Sequence, residues 1–273
     1  MGKSFLDEFS KVVVKNLREY VEYQKYKQYL PINPMHDDIY IVEFPKSGIT
    51  WMSFIIANIE LMRRDIRESP TFYNIHRYVP DVHQLKGAKV NRVFSPAFLK
   101  SHSPYNPFYF HVVYLLRNPV DVMVSYFNFQ RFLGYRGSFE EFVMSSNFGI
   151  SAWKEHVKGW LMGEPSAQRI HLIKYEDLLK EPRKVISALY VNLGIEVSVE
   201  LIEKAIKMSS LEKMKYWEKI MVEFNPRYTS TFFVGKDGKI KKQELLTPRL
   251  ERYIVEECKD VLRRFYPKLL ELI

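Results

Sequence analysis

An α/β fold with a mainly parallel central sheet flanked by helices is what this sequence predicts, on three observations. Residues 39–44 are an apolar, β-rich run (Ile39, Tyr40, Ile41, Val42, Phe44) that breaks at Pro45 and turns through Lys46, Ser47 and Gly48; the chain then restarts with Trp51, Phe54, Ile55, Ile59 and Met62 at helical spacing. A second buried run, residues 111–117, leads through Asn118 and Pro119 into another helix, and a third, residues 169–177, does the same. Strands alternating with helices imply a parallel sheet covered on both faces, and such sheets collect function beyond the C-terminal ends of their strands.

In chain order, residues 3–29 read as an amphipathic helical lead-in, and the loop around Pro31 and Pro34 delivers the chain to the first strand, so that residues 1–37 precede the sheet. After the helix that follows residue 51, residues 64–89 mix Pro, aromatic and charged side chains without a clear period and predict a short helix and loops over the site. Residues 92–102 predict an extended segment ending in polar groups. Pro119 stands near a helix start, where its missing N–H is harmless, and that helix runs from 121 to about 132. Residues 134–137 are a turn, Ser138 and Glu141 a capping box, and residues 151–162 a helix. The third strand runs into a helix over 177–193 that Gly194 closes. Helices are predicted over 198–208 and 210–217, a loop over 225–242, and a terminal helix from Pro248 to about 265. There are no repeats and no low-complexity linker, and residues 1–273 are read as one domain.

At 273 residues, 47% apolar and 15% aromatic, the chain can bury a large core and is not disordered in the main. No apolar run reaches the ~18–20 residues of a membrane span. The first twenty residues carry Asp7 and Glu8 and lack the apolar stretch and cleavage site of a signal peptide, and Leu6 stands where a myristoylation signal wants Ser or Thr. The single cysteine, Cys258, allows no internal disulfide and fits a reducing compartment. A soluble, cytoplasmic protein with no membrane partner is expected. The net charge of +9 favours anionic partners, but the basic residues are spread along the chain apart from 236–242. There is no zinc-type Cys/His spacing and no RNA-binding signature, so no nucleic-acid partner is expected.

The candidate chemistry gathers where strands end. Strand, tight loop and helix over 39–51 aim backbone N–H groups and the positive end of a helix dipole at an anion, with Lys46 adding a charge and Ser47 and Thr50 hydroxyls. The loop is not a Walker A sequence, because its Lys precedes its only Gly. A phosphate or sulfate cradle is one reading; an ordinary connection with a solvated Lys is the plainer one. Lys100 and His102 follow the second extended segment, Arg117 ends the next strand, and Ser125 lies eight residues on. Singly, each has a plain explanation, and Arg117 has Asp121 one turn later as a partner. Their joint placement after strands is what points to a site.

Together these stretches resemble the cytosolic sulfotransferases, a P-loop-like nucleotide-binding architecture. FPKSGITW (44–51) looks like that family's 5′-phosphosulfate loop, LKSHSPYN (99–106) its Lys-x-His segment, and YLLRNPVDVMVSYFNF (114–129) its 3′-phosphate segment; KYEDLLKEPRKVI (174–186) and GKDGKIKKQELLTPRLERY (235–253) continue in the family's order. The resemblance spans residue 38 to the C-terminus. It implies 3′-phosphoadenosine 5′-phosphosulfate (PAPS) as co-substrate, no metal, and a small-molecule hydroxyl or amine as acceptor. His102 is then the general base, Lys46 the group that stabilises the departing phosphate, and Lys100 a holder of the sulfuryl group. Ser47, Gly48, Ile49, Thr50 and Trp51 line the nucleotide loop, with Trp51 stacking on adenine; Arg117 and Ser125 grip the 3′-phosphate; Tyr175 and Ser209 lie near the adenine, and Gly235 follows in the late loop.

Departures from the family carry expectations of their own. Ile49 stands where Thr is usual, Leu211 replaces a common Phe near the adenine, and Phe233-Val234 precede Gly235 where Arg-Lys is usual, which predicts weaker selection for the 3′-phosphate. The family's dimer motif is degraded, with Leu246-Thr247 at its centre between Lys242 and Glu251, so that route to a dimer is not expected. The competing readings are a nucleotide-dependent small-molecule kinase of related fold and a non-catalytic nucleotide-binding relative. The aromatic segments 70–82 and 126–148 suggest either a pocket for phenols or alcohols or plain core.

Overall fold

The computed structural model describes residues 20–21, 23–85, 88–163, 168–224 and 239–272. In chain order its elements are β1 (Ile39–Glu43), α1 (Ile49–Arg63), α2 (Ile75–Tyr78), α3 (Val82–Leu85), β2 (Phe98–Ser101), β3 (His111–Leu116), α4 (Pro119–Phe132), α5 (Phe139–Met144), α6 (Ile150–Leu161), β4 (Arg169–Lys174), α7 (Tyr175–Lys180), α8 (Pro182–Asn192), α9 (Val199–Met208), α10 (Leu211–Phe224), α11 (Lys242–Leu245), α12 (Pro248–Glu257) and α13 (Lys259–Phe265). A 3₁₀ turn, Lys27–Tyr29, precedes β1 and another, Pro267–Leu272, follows α13. Of the predicted lead-in, residues 1–19 lie outside the described residues.

The four strands are all parallel, in the order β2-β1-β3-β4. Side chains alternate across a strand, so β1 feeds two cores. Ile39 and Ile41 join Val113 and Leu115 of β3 under α1, while Tyr40 and Val42 join Val112, Tyr114 and Leu116 under α4 and α6. With both faces covered, β1 is apolar throughout except Glu43, and every one of its residues is buried. The chain leaves β1 toward β2 on one side and returns through β3 on the other. That reversal opens a crevice between the loops after β1 and β3, where ligands bind in open α/β sheets.

Boundaries moved where local chemistry overrode the pattern. The third predicted strand ends at Lys174, and Tyr175 opens α7. The helix expected over 177–193 is two, α7 and α8, because Pro182 has no N–H to give and pushes Glu181 to φ −133°, ψ 56°. The terminal helix is likewise two, interrupted at Cys258 (φ −118°, ψ 22°), whose thiol bonds back to the Ile254 carbonyl at 3.0 Å. The helix predicted to end at 217 continues to Phe224. The capping box of Ser138 and Glu141 forms as expected, and Asn118 caps α4 by accepting the Val120 N–H at 2.9 Å.

Candidate active site

A cavity of about 390 Å³ opens at the C-terminal edge of the sheet, in the crevice between the β1 and β3 loops. Ten of the predicted residues line it: Lys46, Gly48, Ile49, Thr50, Trp51, Lys100, His102, Arg117, Ser125 and Tyr175. Ser47 and Ser209 do not. Ser47 is buried with its hydroxyl donating to the Phe44 carbonyl at 2.9 Å. Ser209 is buried too, its hydroxyl accepting from Asn58 Nδ2 at 3.0 Å and its carbonyl from Trp51 Nε1 at 3.0 Å. Ser209 therefore supports the cavity through Trp51. Gly235, Phe233 and Val234 lie outside the described residues.

The loop after β1 holds a residue in an unfavourable conformation. Lys46 has φ 79°, left-handed space that costs a residue with a Cβ ~1–2 kcal/mol. Both ends of the residue are clamped there: its N–H donates to Glu43 Oε1 at 3.1 Å and its carbonyl accepts from Arg117 Nη1 at 2.9 Å. Glu43 also takes the Ile49 N–H on Oε2 at 2.8 Å. Gly48 (φ 117°) then turns the chain into α1, and a Cβ there would lie 2.5 Å from the Tyr175 ring. The same ring carries the Arg117 guanidinium, 4.4 Å from the centroid, so Arg117 joins the loop, the aromatic and the end of β3. Lys46 Nζ lies 4.6 Å from the centre of the Phe129 ring, one turn past Ser125 on α4.

The opposite wall is a network of side chains. Lys100 pairs with Asp81 at 3.1 Å, and the backbone of Asp81 bridges to Lys100. The His102 N–H donates to His83 Nε2 at 2.9 Å. His102 Nδ1 lies 3.4 Å from the Glu43 carbonyl and 3.8 Å from its Oε1, a contact that a proton on Nδ1 satisfies, leaving Nε2 as the basic atom.

Burial dominates the electrostatics here. It pushes His102 down to about 3, aided by the Lys100 charge and opposed by Asp81. It lowers Lys46 to about 8, where Glu43 pulls the other way and the charges of Lys239, Arg117 and Lys100 add to the depression. It raises Glu43 to about 7, in spite of the Ile49 N–H and the charges of Lys100 and Lys46. Three cations thus act on Lys46 around the loop. Lys239 reaches this group because Ile240 is clamped to α4, its N–H donating to Asn128 Oδ1 at 2.8 Å and its carbonyl accepting from Asn128 Nδ2 at 3.1 Å. Lys242, by contrast, pairs with Asp121 at 2.9 Å, so Asp121 serves that lysine and Arg117 is turned to the loop.

Reading the sequence missed Glu43, Asp81 and His83. Glu43 carried a signal, as the one charged residue inside an apolar strand. The others carried none, because they reach the site only through packing. Of the aromatic segments, Phe127, Phe139 and Phe142 are core, and Phe129 is the aromatic of those segments that lines the cavity.

A mouse sulfotransferase, SULT7A1, solved with PAP shares the fold with a TM-score of 0.61 at 20% identity, over 92% of this chain and 94% of that one. A retinol dehydratase solved with androsterone and the inactive cofactor PAP gives 0.59 at 18%, over 89% and 85%. In sequence, the chain is 34% identical to Sulfotransferase 1E1 of Bos taurus over 201 residues, 66% of each protein. It is 31% identical to Sulfotransferase 1C2 of Oryctolagus cuniculus over 198 residues, again 66% of each. The chain thus spans just under two thirds of the length of these curated relatives. The family description "Sulfotransferase domain" matches residues 36–265, from just before β1 to the end of α13, and the chain belongs to the sulfotransferase family.

Proposed function

We propose that this protein transfers a sulfuryl group from PAPS to the hydroxyl, or amine, of a small apolar or aromatic acceptor. The observation that carries the reading is the convergence of Lys46, Lys100, Arg117 and the base His102 on one cavity at a helix N-terminus. The residues suit an anionic donor: the Glu43 carboxylate, held by two loop N–H groups, is itself an anion that the loop accepts. The Lys46–Thr50 loop would hold the 5′-phosphate side, Arg117 and Ser125 the 3′-phosphate by charge-assisted bonds, and Trp51 and Tyr175 the adenine. Lys239 is a further cation for the phosphates on the α4 side.

His102 Nε2 takes the acceptor's proton as the acceptor oxygen bonds to sulfur and the bond from sulfur to the phosphate oxygen breaks with its electron pair leaving on that oxygen. Lys46 meets the charge that builds there, and Lys100, steadied by Asp81, faces the sulfuryl oxygens. The depressed basicity of His102 fits this order of events, because the negative charge of a bound donor raises it. Retinol and steroid acceptors are suggested by the retinol dehydratase, and Phe129 and Leu211 on the cavity wall favour apolar molecules of that kind. One domain over residues 1–273 and a cytoplasmic location, with Cys258 buried as a free thiol, complete the reading.

The test is transfer of labelled sulfate from PAPS to a panel of phenols, alcohols and amines. Product with at least one class supports the reading. PAP binding without turnover on any acceptor would replace it with a non-catalytic nucleotide-binding protein, and phosphoryl transfer from ATP with Mg²⁺ would replace it with a kinase.

A further inference from the structure

Glu43 is a carboxylate built into an anion-binding loop. It is 2% exposed and lines the cavity, and its two oxygens occupy the N–H groups of Lys46 and Ile49, which a loop of this kind offers to a phosphate. Around it stand Lys46 on the loop, Lys100 and His102 at and beyond the end of β2, and Tyr114 on β3, whose hydroxyl bonds His156 of α6 at 2.8 Å. Asp81, ahead of α3, is engaged by Lys100. A phosphate entering the loop brings negative charge against Glu43 in a site shielded from water, where repulsion is weakly screened.

Resting on the donor site proposed above, we propose that Glu43 is a proton-linked positioning residue: it takes up one proton from solvent as the donor's 5′-phosphate enters the loop. As a neutral carboxyl it keeps one oxygen as an acceptor for the loop, frees an N–H for the phosphate, and gains an O–H to donate. The cations are then left to serve the donor alone. Burial already holds Glu43 near the point where this costs little, at about 7. At pH 7.0 the free protein would have Glu43 about half ionised, so it would contribute about half a proton on binding, against about a tenth from Lys46, which titrates near 8. His102, at about 3, is neutral throughout the range and belongs to a different step.

Calorimetry of the full chain with PAP at pH 7.0, in two buffers of different ionisation enthalpy, counts the protons. The parent should take up about half a proton more than Glu43→Gln. Its affinity should fall up to tenfold per pH unit from about 7, whereas the variant's fall is that of Lys46 alone, which sets in below 8 because the Glu43 charge no longer supports that lysine. Equal proton counts in parent and variant overturn the proposal. Absence of PAP binding in the parent overturns the donor-site reading, and this inference with it; binding with equal counts overturns this inference alone. Circular dichroism checks that the variant folds, with Glu43→Ser as a second choice. Independently of any variant, the Glu43 carboxyl carbon of ¹³C-labelled parent should shift to its protonated position when PAP is added at pH 7.0; an unchanged resonance also overturns the proposal.

Discussion

Along one wall of the cavity, Lys46, Gly48, Ile49, Thr50 and Trp51 come from a single short stretch, and in the proposed donor site their hold on an anion would rest on backbone N–H groups and a helix N-terminus. Across from them, the second wall takes Asp81 and His83 from around α3 and Lys100 and His102 from the end of β2, and Glu43 of β1 touches both, bonded to the loop and beside His102. The first wall is stiff: Lys46 is clamped at both ends and Gly48 is wedged against Tyr175. The second is a chain of side-chain contacts whose charges tune one another. In the proposed reaction the 5′-phosphate side would thereby rest on backbone, which substitution barely alters, and proton handling on side chains, which it alters at once.

His102→Ala bears hardest on that division. Loss of a positioned base removes ~10²–10⁴ in rate, and PAP affinity should stay within a few fold of the parent. Near-normal kcat would take His102 out of the base role and leave the second wall without its function.

In the proposed reaction Lys46 belongs to both walls, since it sits on the loop but would answer charge that develops only in the transition state. Lys46→Met should lower kcat by ~10²–10³ with a smaller loss of donor affinity. The pH profile adds a check, because a lysine at about 8 loses its cation as pH rises through that value. Activity should decline on the alkaline side near 8, and Lys46→Arg should remove that decline. A change confined to KM would make Lys46 a plain anchor of the binding wall.

Ser125→Ala probes binding alone. One charge-assisted bond to a 3′-phosphate is worth ~1.5–3 kcal/mol, so affinity for PAP should fall by about tenfold or more while affinity for adenosine 5′-phosphate is unchanged. Equal losses for the two nucleotides would show that Ser125 does not read the 3′-phosphate.

The smallest effect is expected from Asp81→Asn, which frees Lys100 and removes the charge that supports His102. A fall of about tenfold in kcat, with PAP affinity held, is the expected outcome for misplaced catalytic groups. A variant that loses donor affinity and keeps kcat would put Asp81 on the wrong wall.

Local chemistry was sufficient to make parts of this molecule legible. The strand-loop-helix unit at 39–63, the Asn118 and Pro119 start of α4 and the Ser138 capping box are decided by residues within a few positions of one another, so their sequence determines them. The same holds for Lys46, Lys100, His102 and Arg117, which lie in the last residues of a strand or within three residues beyond one and are brought together once the strands pair. Where Ser47 and Ser209 turn their hydroxyls was decided by neighbours, one by the loop's own carbonyl at Phe44 and the other by Asn58, 151 positions away. Only tertiary structure could bring Asp81 to Lys100, His83 to the His102 N–H, and Ile240 to Asn128, because each joins segments that no local rule relates. Burial decided the rest. A carboxylate, an amine and an imidazole of ordinary type become groups titrating at about 7, 8 and 3 because water is excluded around them, and sequence order carries no measure of that exclusion.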